Sequence, residues 1–246
     1  MPSFFDRIIT VYGRKPALEA LKDPSLDCYR LHLAESNKPA KILDELCSLA
    51  EQRGIEIAHH SKIELSRISR KGSQDQGVAV DVLCPGFTGL DDFLSEDDGA
   101  PRRLLAVDGI TNPQNAGMLM RSAVAGGIDG ILWPKSGSAA LGPLAIKASA
   151  GTLFRAPLVR CGKLADALSS CQQQGFQVAV LDADGEASLF DADLPERIIF
   201  VLGNETEGPS PDVTALADLS LRIPMDNGVE SLNVAVTAAL ISYLAR

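Results

Sequence analysis

The second half of this chain alternates between two patterns, and that alternation limits its possible folds more than any other feature. Short apolar runs at residues 104–107, 130–133, 177–181, 198–202 and 219–223 are mostly separated by stretches whose apolar residues recur at helical spacing. Strand–helix alternation predicts an α/β fold with a mostly parallel sheet covered on both faces, because the crossover between parallel strands packs back onto the sheet. Ligands of open α/β sheets bind beyond the carboxyl ends of the strands. A site is therefore expected in the polar, glycine-rich residues that follow each run.

The first part of the chain carries a smaller α/β pattern over residues 1–84. Strands are expected at 30–34, 55–58 and 78–82, with Ile42, Leu43, Leu46, Leu49 and Ala50 forming a helical stripe between the first two. Residues 85–101 read as an acidic linker. They hold Pro85-Gly86, Gly89, Asp97-Asp98-Gly99 and Pro101, with five acids and no base, and turn formers with like charges resist burial. Leu90, Phe93 and Leu94 suffice there for one short helical turn. The main domain then spans 102–246.

The formal charge of −9 is awkward for a protein that grips phosphates, which needs lysine and arginine. Its distribution softens the objection. Residues 1–84 are neutral overall, and five of the nine excess negative charges fall in 85–101. A basic group, Lys62, Arg67, Arg70 and Lys71, suits either RNA contact or a solvated loop. No apolar run is long enough to span a bilayer, and the opening Met1-Pro2-Ser3-Phe4-Phe5-Asp6-Arg7 lacks the order of a signal peptide. A cytoplasmic protein is expected. The five cysteines form no C-x-x-C pair and read as buried thiols. With only His32, His59 and His60 beside them, no metal site is expected.

Three segments follow strands and carry chemistry. The first, residues 108–121, turns at Asn112-Pro113 and enters a helix holding Asn115 and Arg121; alone it reads equally as a cap and a solvated arginine. The second, residues 201–210, sets Gly203 and Gly208 around Glu205 and Glu207. Glycine lets a backbone approach a ligand closely, although an ordinary turn into a helix capped by Ser210 fits as well. The third runs from Ile223-Pro224-Met225 through an Asn227-Gly228 turn to Ser231-Leu232-Asn233, where Ser231 is placed to cap a small, apolar helix.

Together the segments resemble the SpoU/TrmH branch of the SPOUT RNA methyltransferases, whose motifs read Asn-x-Gly-x-x-x-Arg, Leu-Gly-x-Glu-x-x-Gly, and Ile-Pro-Met followed by Ser-Leu-Asn. All three occur in order within 102–246. Residues 11–21 resemble the opening of members with an added RNA-binding module. Two positions depart from the family pattern: Asp75 in Asp75-Gln76-Gly77 stands where a histidine is usual, and Asn227 where glycine is common.

The resemblance implies a trefoil-knotted C-terminal domain and S-adenosylmethionine as cofactor. The cofactor would be held by Leu202, Gly203, Asn204, Gly208, Ile223, Met225 and Leu232. The implied reaction is methylation of a ribose 2′-hydroxyl in RNA, ribosomal rather than transfer RNA, by Arg121, Asn115, Glu205, Ser231 and Asn233. It also implies a homodimer formed through the C-terminal domain. The alternatives are a transfer-RNA methyltransferase and a non-catalytic RNA-binding relative. A nucleotide-dependent oxidoreductase ranks far below, since no G-x-G-x-x-G follows a strand.

Overall fold

The structure, a computed structural model, describes residues 4–70, 72, 74–204 and 207–244. The chain divides into two compact units, Arg7–Pro85 and Gly86–Arg246, the latter joined by Met1–Asp6.

The small unit runs β1 (Ile8–Tyr12), α1 (Arg14–Lys22), β2 (Asp27–Ala34), α2 (Lys41–Gln52), β3 (Glu56–His60), α3 (Lys62–Ser69) and β4 (Val78–Leu83). The strands lie in the order β1-β4-β2-β3, with β4 antiparallel to both neighbours and β2 parallel to β3. Alternation along β2 and β4 sends Leu31, Leu33, Val78 and Val80 to one face and Ala34 and Ala79 to the other, where Leu65 of α3 covers the latter pair. A reciprocal capping box between Ser61 and Glu64 starts α3. Arg53, just past α2, donates to the carbonyls of Leu21 (2.7 Å) and Asp23 (3.1 Å) and so ties down the chain after α1.

Asp75 has a structural job. It is buried, and its carboxylate accepts from Ser69 Oγ (2.9 Å) and Gly77 N (3.0 Å). Gln76 and Gly77 then turn left-handed (φ 51° and 75°) into β4. Two converging donors suit an anion here, and the side chain is not offered to a ligand.

The large unit runs β5 (Thr88–Gly89), α4 (Leu90–Ser95), β6 (Arg102–Val107), α5 (Pro113–Gly126), β7 (Gly130–Pro134), α6 (Pro143–Ala148), β8 (Leu158–Cys161), α7 (Leu164–Gln173), β9 (Gln177–Leu181), β10 (Ala187–Ser188), β11 (Arg197–Leu202), α8 (Pro211–Thr214), β12 (Leu219–Arg222) and α9 (Val234–Tyr243). Its eight strands are all parallel, in the order β10-β12-β9-β11-β6-β7-β8-β5. On one face Leu104, Leu132, Val178 and Ile199 form a core with Leu164 and Leu168 of α7 and Val213 of α8. On the other, α5 packs between α6 and α9. Those crossings are close: a Cβ at Gly117 would sit 2.3 Å from the Ala145 carbonyl oxygen, and one at Gly126 would sit 2.2 Å from Ser242 Cβ. Burial pushes the thiols of Cys161 and Cys171 up to about 11 and about 12, so neither is a ready nucleophile.

Residues 86–101, the greater part of the stretch 85–101 expected as a linker, are built into this unit. Strand β5 pairs with β8, and Phe93 of α4 is part of the core. The charge argument failed because the carboxylate of Asp97, only 4% exposed, is neutralised by Arg197 and Arg102. Arg197 also donates to the carbonyls of Ala100 (2.7 Å) and Gln174 (3.0 Å) and lies 4.1 Å over the Phe176 ring. Among the described residues no helix is long and apolar enough to cross a membrane.

Candidate active site

The carboxyl ends of β12, β9 and β11 lie side by side, and a cavity of about 700 Å3 opens beyond them, within the range of small-molecule sites. Its walls are the loop after β11 and the segment between β12 and α9. The loop is tightly closed: Asn204 and Gly208 exchange backbone hydrogen bonds of 3.1 and 2.8 Å, and Gly208 is left-handed. Gly203 is packed so closely that a Cβ there would lie 2.2 Å from Pro209 N. Two contacts tie this loop to the segment after β6: Ser210 N donates to Asp108 Oδ2 (2.6 Å), and Asn204 Nδ2 donates to the Gly109 carbonyl (3.2 Å).

The opposite wall begins at Ile223-Pro224-Met225. Asn227 (φ 56°) and Gly228 (φ 73°) are both left-handed, and Val229 N returns to the Asp226 carbonyl (3.2 Å), so the turn spans both residues. Asparagine tolerates that conformation well, which explains how it stands in for glycine. Helix α9 starts later than expected. Asn233, not Ser231, is its N-cap, accepting from Ala235 N at 2.9 Å, while Ser231 is exposed on the cavity wall. Ser210 does precede α8, but its side chain makes no capping bond.

All seven positions expected to hold a cofactor, Leu202, Gly203, Asn204, Gly208, Ile223, Met225 and Leu232, line this cavity. The expected catalytic residues are distributed differently. Asn112 caps α5, placing Asn115 in its first turn, buried, where its Oδ1 accepts from Asn233 Nδ2 at 3.2 Å. That bond joins the first segment to the third beside the cavity. Arg121 lies further along α5, exposed, with no hydrogen bond or ion pair among the described residues. Glu205 falls outside the described residues. The lining also includes Asp182 and Arg222, which the motifs did not single out. Asp182 follows β9, where the strand-end rule points. Arg222 donates to the carbonyls of Gly185 (2.6 Å) and Glu186 (3.0 Å), fixing the turn after β9.

Comparison with known proteins places this arrangement. Residues 102–243 match the SpoU rRNA Methylase family, and residues 10–82 match the RNA 2′-O ribose methyltransferase substrate binding family. An "Uncharacterized tRNA/rRNA methyltransferase" of Mycolicibacterium vanbaalenii is 35% identical over 94% of this chain and 74% of its own length. A putative RNA methyltransferase of the TrmH family from Porphyromonas gingivalis superposes with a TM-score of 0.63 at 27% identity, covering 98% of this chain and 90% of that one. The SpoU methyltransferase AviRb from Streptomyces viridochromogenes, solved with AdoMet, gives 0.65 at 21% identity over 97% and 89%, a likeness of fold. The chain belongs to the SpoU methylase family. It is an RNA methyltransferase of that type, an α/β protein in which a small N-terminal domain precedes the parallel-sheet domain.

Proposed function

We propose that the protein transfers a methyl group from S-adenosylmethionine to a ribose 2′-hydroxyl of ribosomal RNA. The observation that carries this reading is the cavity beyond β12, β9 and β11, with the Asn115–Asn233 bond at its edge. The donor fits what is there. The volume suits a nucleoside-sized ligand, Leu202, Ile223 and Leu232 supply apolar wall, and the close packing at Gly203 brings backbone rather than side chain to the cavity. Bound there, the sulfonium supplies an already electrophilic methyl group.

The chain's own residues do the rest. Asn115 and Asn233 hold each other and fix the entry to α9. Ser231 shapes the cavity wall, and Glu205 stands between Gly203 and Gly208 in the sequence. Arg121, exposed on α5, receives the RNA: a guanidinium has no acceptor lone pair, so it holds a phosphate or stabilises the developing alkoxide. Ribosomal RNA is favoured by the added small unit, where Lys62, Arg67 and Arg70 are all exposed; Lys71 lies outside the described residues. The trefoil passage of the chain through its own loops belongs to this reading too, as does a cytoplasmic setting. The protein pairs with a second copy through α9, whose outer face leaves Val236 and Tyr243 about half exposed beside Phe190. Light scattering giving a monomer would remove the dimer from the account.

Calorimetry with S-adenosylmethionine tests the cavity. Wild type binds, and Gly203→Val loses at least about tenfold in affinity, the scale of a lost contact worth about 1.4 kcal/mol. An unchanged affinity moves the donor elsewhere. Arg121→Ala lowers turnover by about 10²–10³, the usual cost of one lost oxyanion donor, with donor affinity intact. Full activity in Arg121→Lys excludes a two-pronged phosphate contact.

A further inference from the structure

The small unit contains a hydrogen-bonded chain that the proposed methyl transfer does not use. Thr10 Oγ1 donates to Asp81 Oδ1 (2.7 Å), Asp81 Oδ2 lies 3.0 Å from His32 Nε2, and His32 Nδ1 lies 2.9 Å from His60 Nε2. His32 is only 4% exposed, whereas His60 is partly exposed where β3 ends and α3 begins. The inner end sets the direction of the chain. An ionised carboxylate only accepts, so His32 Nε2 carries a proton, His32 Nδ1 is the acceptor, and His60 Nε2 is the next donor. His60 Nδ1 is left over, without a partner among the described residues.

A proton added at His60 Nδ1 leaves all three hydrogen bonds intact and creates an imidazolium at the surface. A proton on His32 Nδ1 is accommodated as well, once His60 takes the tautomer whose Nε2 accepts and whose Nδ1 carries the hydrogen. The pair therefore takes up one proton, and in either form His60 Nδ1 presents a hydrogen at the outer end. The charged or titratable groups around His60 are Arg30 and His32 from β2, Glu56 and His59 from β3, Asp81 from β4 and Glu64 from α3; β1 contributes the uncharged Thr10. Burial first, then coupling to His32, Arg30 and His59, holds His60 below the ordinary imidazole range, with Glu64 acting the other way. A phosphate oxygen at Nδ1 reverses that balance.

We propose that His60 is a proton-linked contact for an RNA phosphate, neutral in the free protein and charged, two residues before Lys62, only when RNA is bound. This rests on the RNA-methyltransferase reading. The test measures the affinity of the full chain for an oligouridylate between pH 7.5 and 5.5 at fixed salt, in wild type and His60→Gln. Glutamine keeps a donor toward His32 but takes up no proton. Wild-type affinity rises toward acid by up to about tenfold per pH unit, the limit for one linked proton, and the variant is flatter. Equal slopes overturn the inference, and so does an oligouridylate that binds at no pH. If labelled methyl still reaches RNA in either case, the enzymatic reading stands. The imidazole NMR signals of wild type give a second readout. At pH 7 the His60 resonance moves to its protonated position as oligouridylate saturates; a His60 that stays neutral at saturation overturns the proposal.

Discussion

In the small unit, the sheet face toward α3 carries Thr10, Asp81, His32 and His60, polar side chains that satisfy one another. In the large unit, the sheet face under α7 and α8 carries Leu104, Leu132, Val178 and Ile199, apolar side chains packed against one another. All three histidines of the chain lie in the small unit. The contrast separates two kinds of vulnerability. A buried polar network is costly when half made and responds to protons. A close-packed apolar core responds to volume instead, and its sensitive charges are those at its margin.

Four changes would break or sharpen that contrast. Arg197→Ala strips the buried Asp97 of its main partner and should cost about 3–5 kcal/mol, the usual result of breaking a buried pair from one side. Chemical denaturation of the large unit reads this directly, and a loss well under 1 kcal/mol would mean that residues 85–101 are not structurally tied in. Gly126→Val forces α5 away from Ser242 and should cost about 1–3 kcal/mol as overpacking, visible as a lower Tm. Asn233→Ala removes the cap of α9 and the bond to Asn115, for about 1 kcal/mol. Because that bond sits at the cavity edge, methyl transfer should fall by more than the stability loss explains.

The smallest effect is pH-dependent. The folded-state pKa of His60 is lowered from its ordinary 6.5, so the unfolded chain binds more protons in the window just below that value. Stability of the small unit is then full above about 6.5 and is lost as pH falls toward the folded value. Denaturation midpoints at pH 7.5 and 5.5 check this, and His60→Gln should shrink the difference. A larger acid sensitivity in the histidine-free large unit would reverse the comparison.

Much of this was legible in the residues. The strand runs at 104–107, 130–133, 177–181, 198–202 and 219–223 correspond to β6, β7, β9, β11 and β12 within a residue or two. Their apolar patterns are strong because a parallel strand is buried on both faces. Strands β5 and β10 have two residues each and leave no periodicity to read. The acidic stretch misled because its partners, Arg102 and Arg197, come from strands later in the chain, and a charge count carries no pairing information. The start of α9 was misplaced because Ser231 and Asn233 are both good caps, and only the bond to Asn115 selects the latter. The histidine relay was invisible for the same reason: β2, β3 and β4 must pair before His32, His60 and Asp81 meet.

The most direct test of the central claim is transfer of label from methyl-labelled S-adenosylmethionine to unmodified ribosomal RNA, followed by digestion to nucleosides. The account predicts label in a 2′-O-methylnucleoside, lost in Gly203→Val and strongly reduced in Arg121→Ala. Label on a base, or none on any RNA, would contradict it.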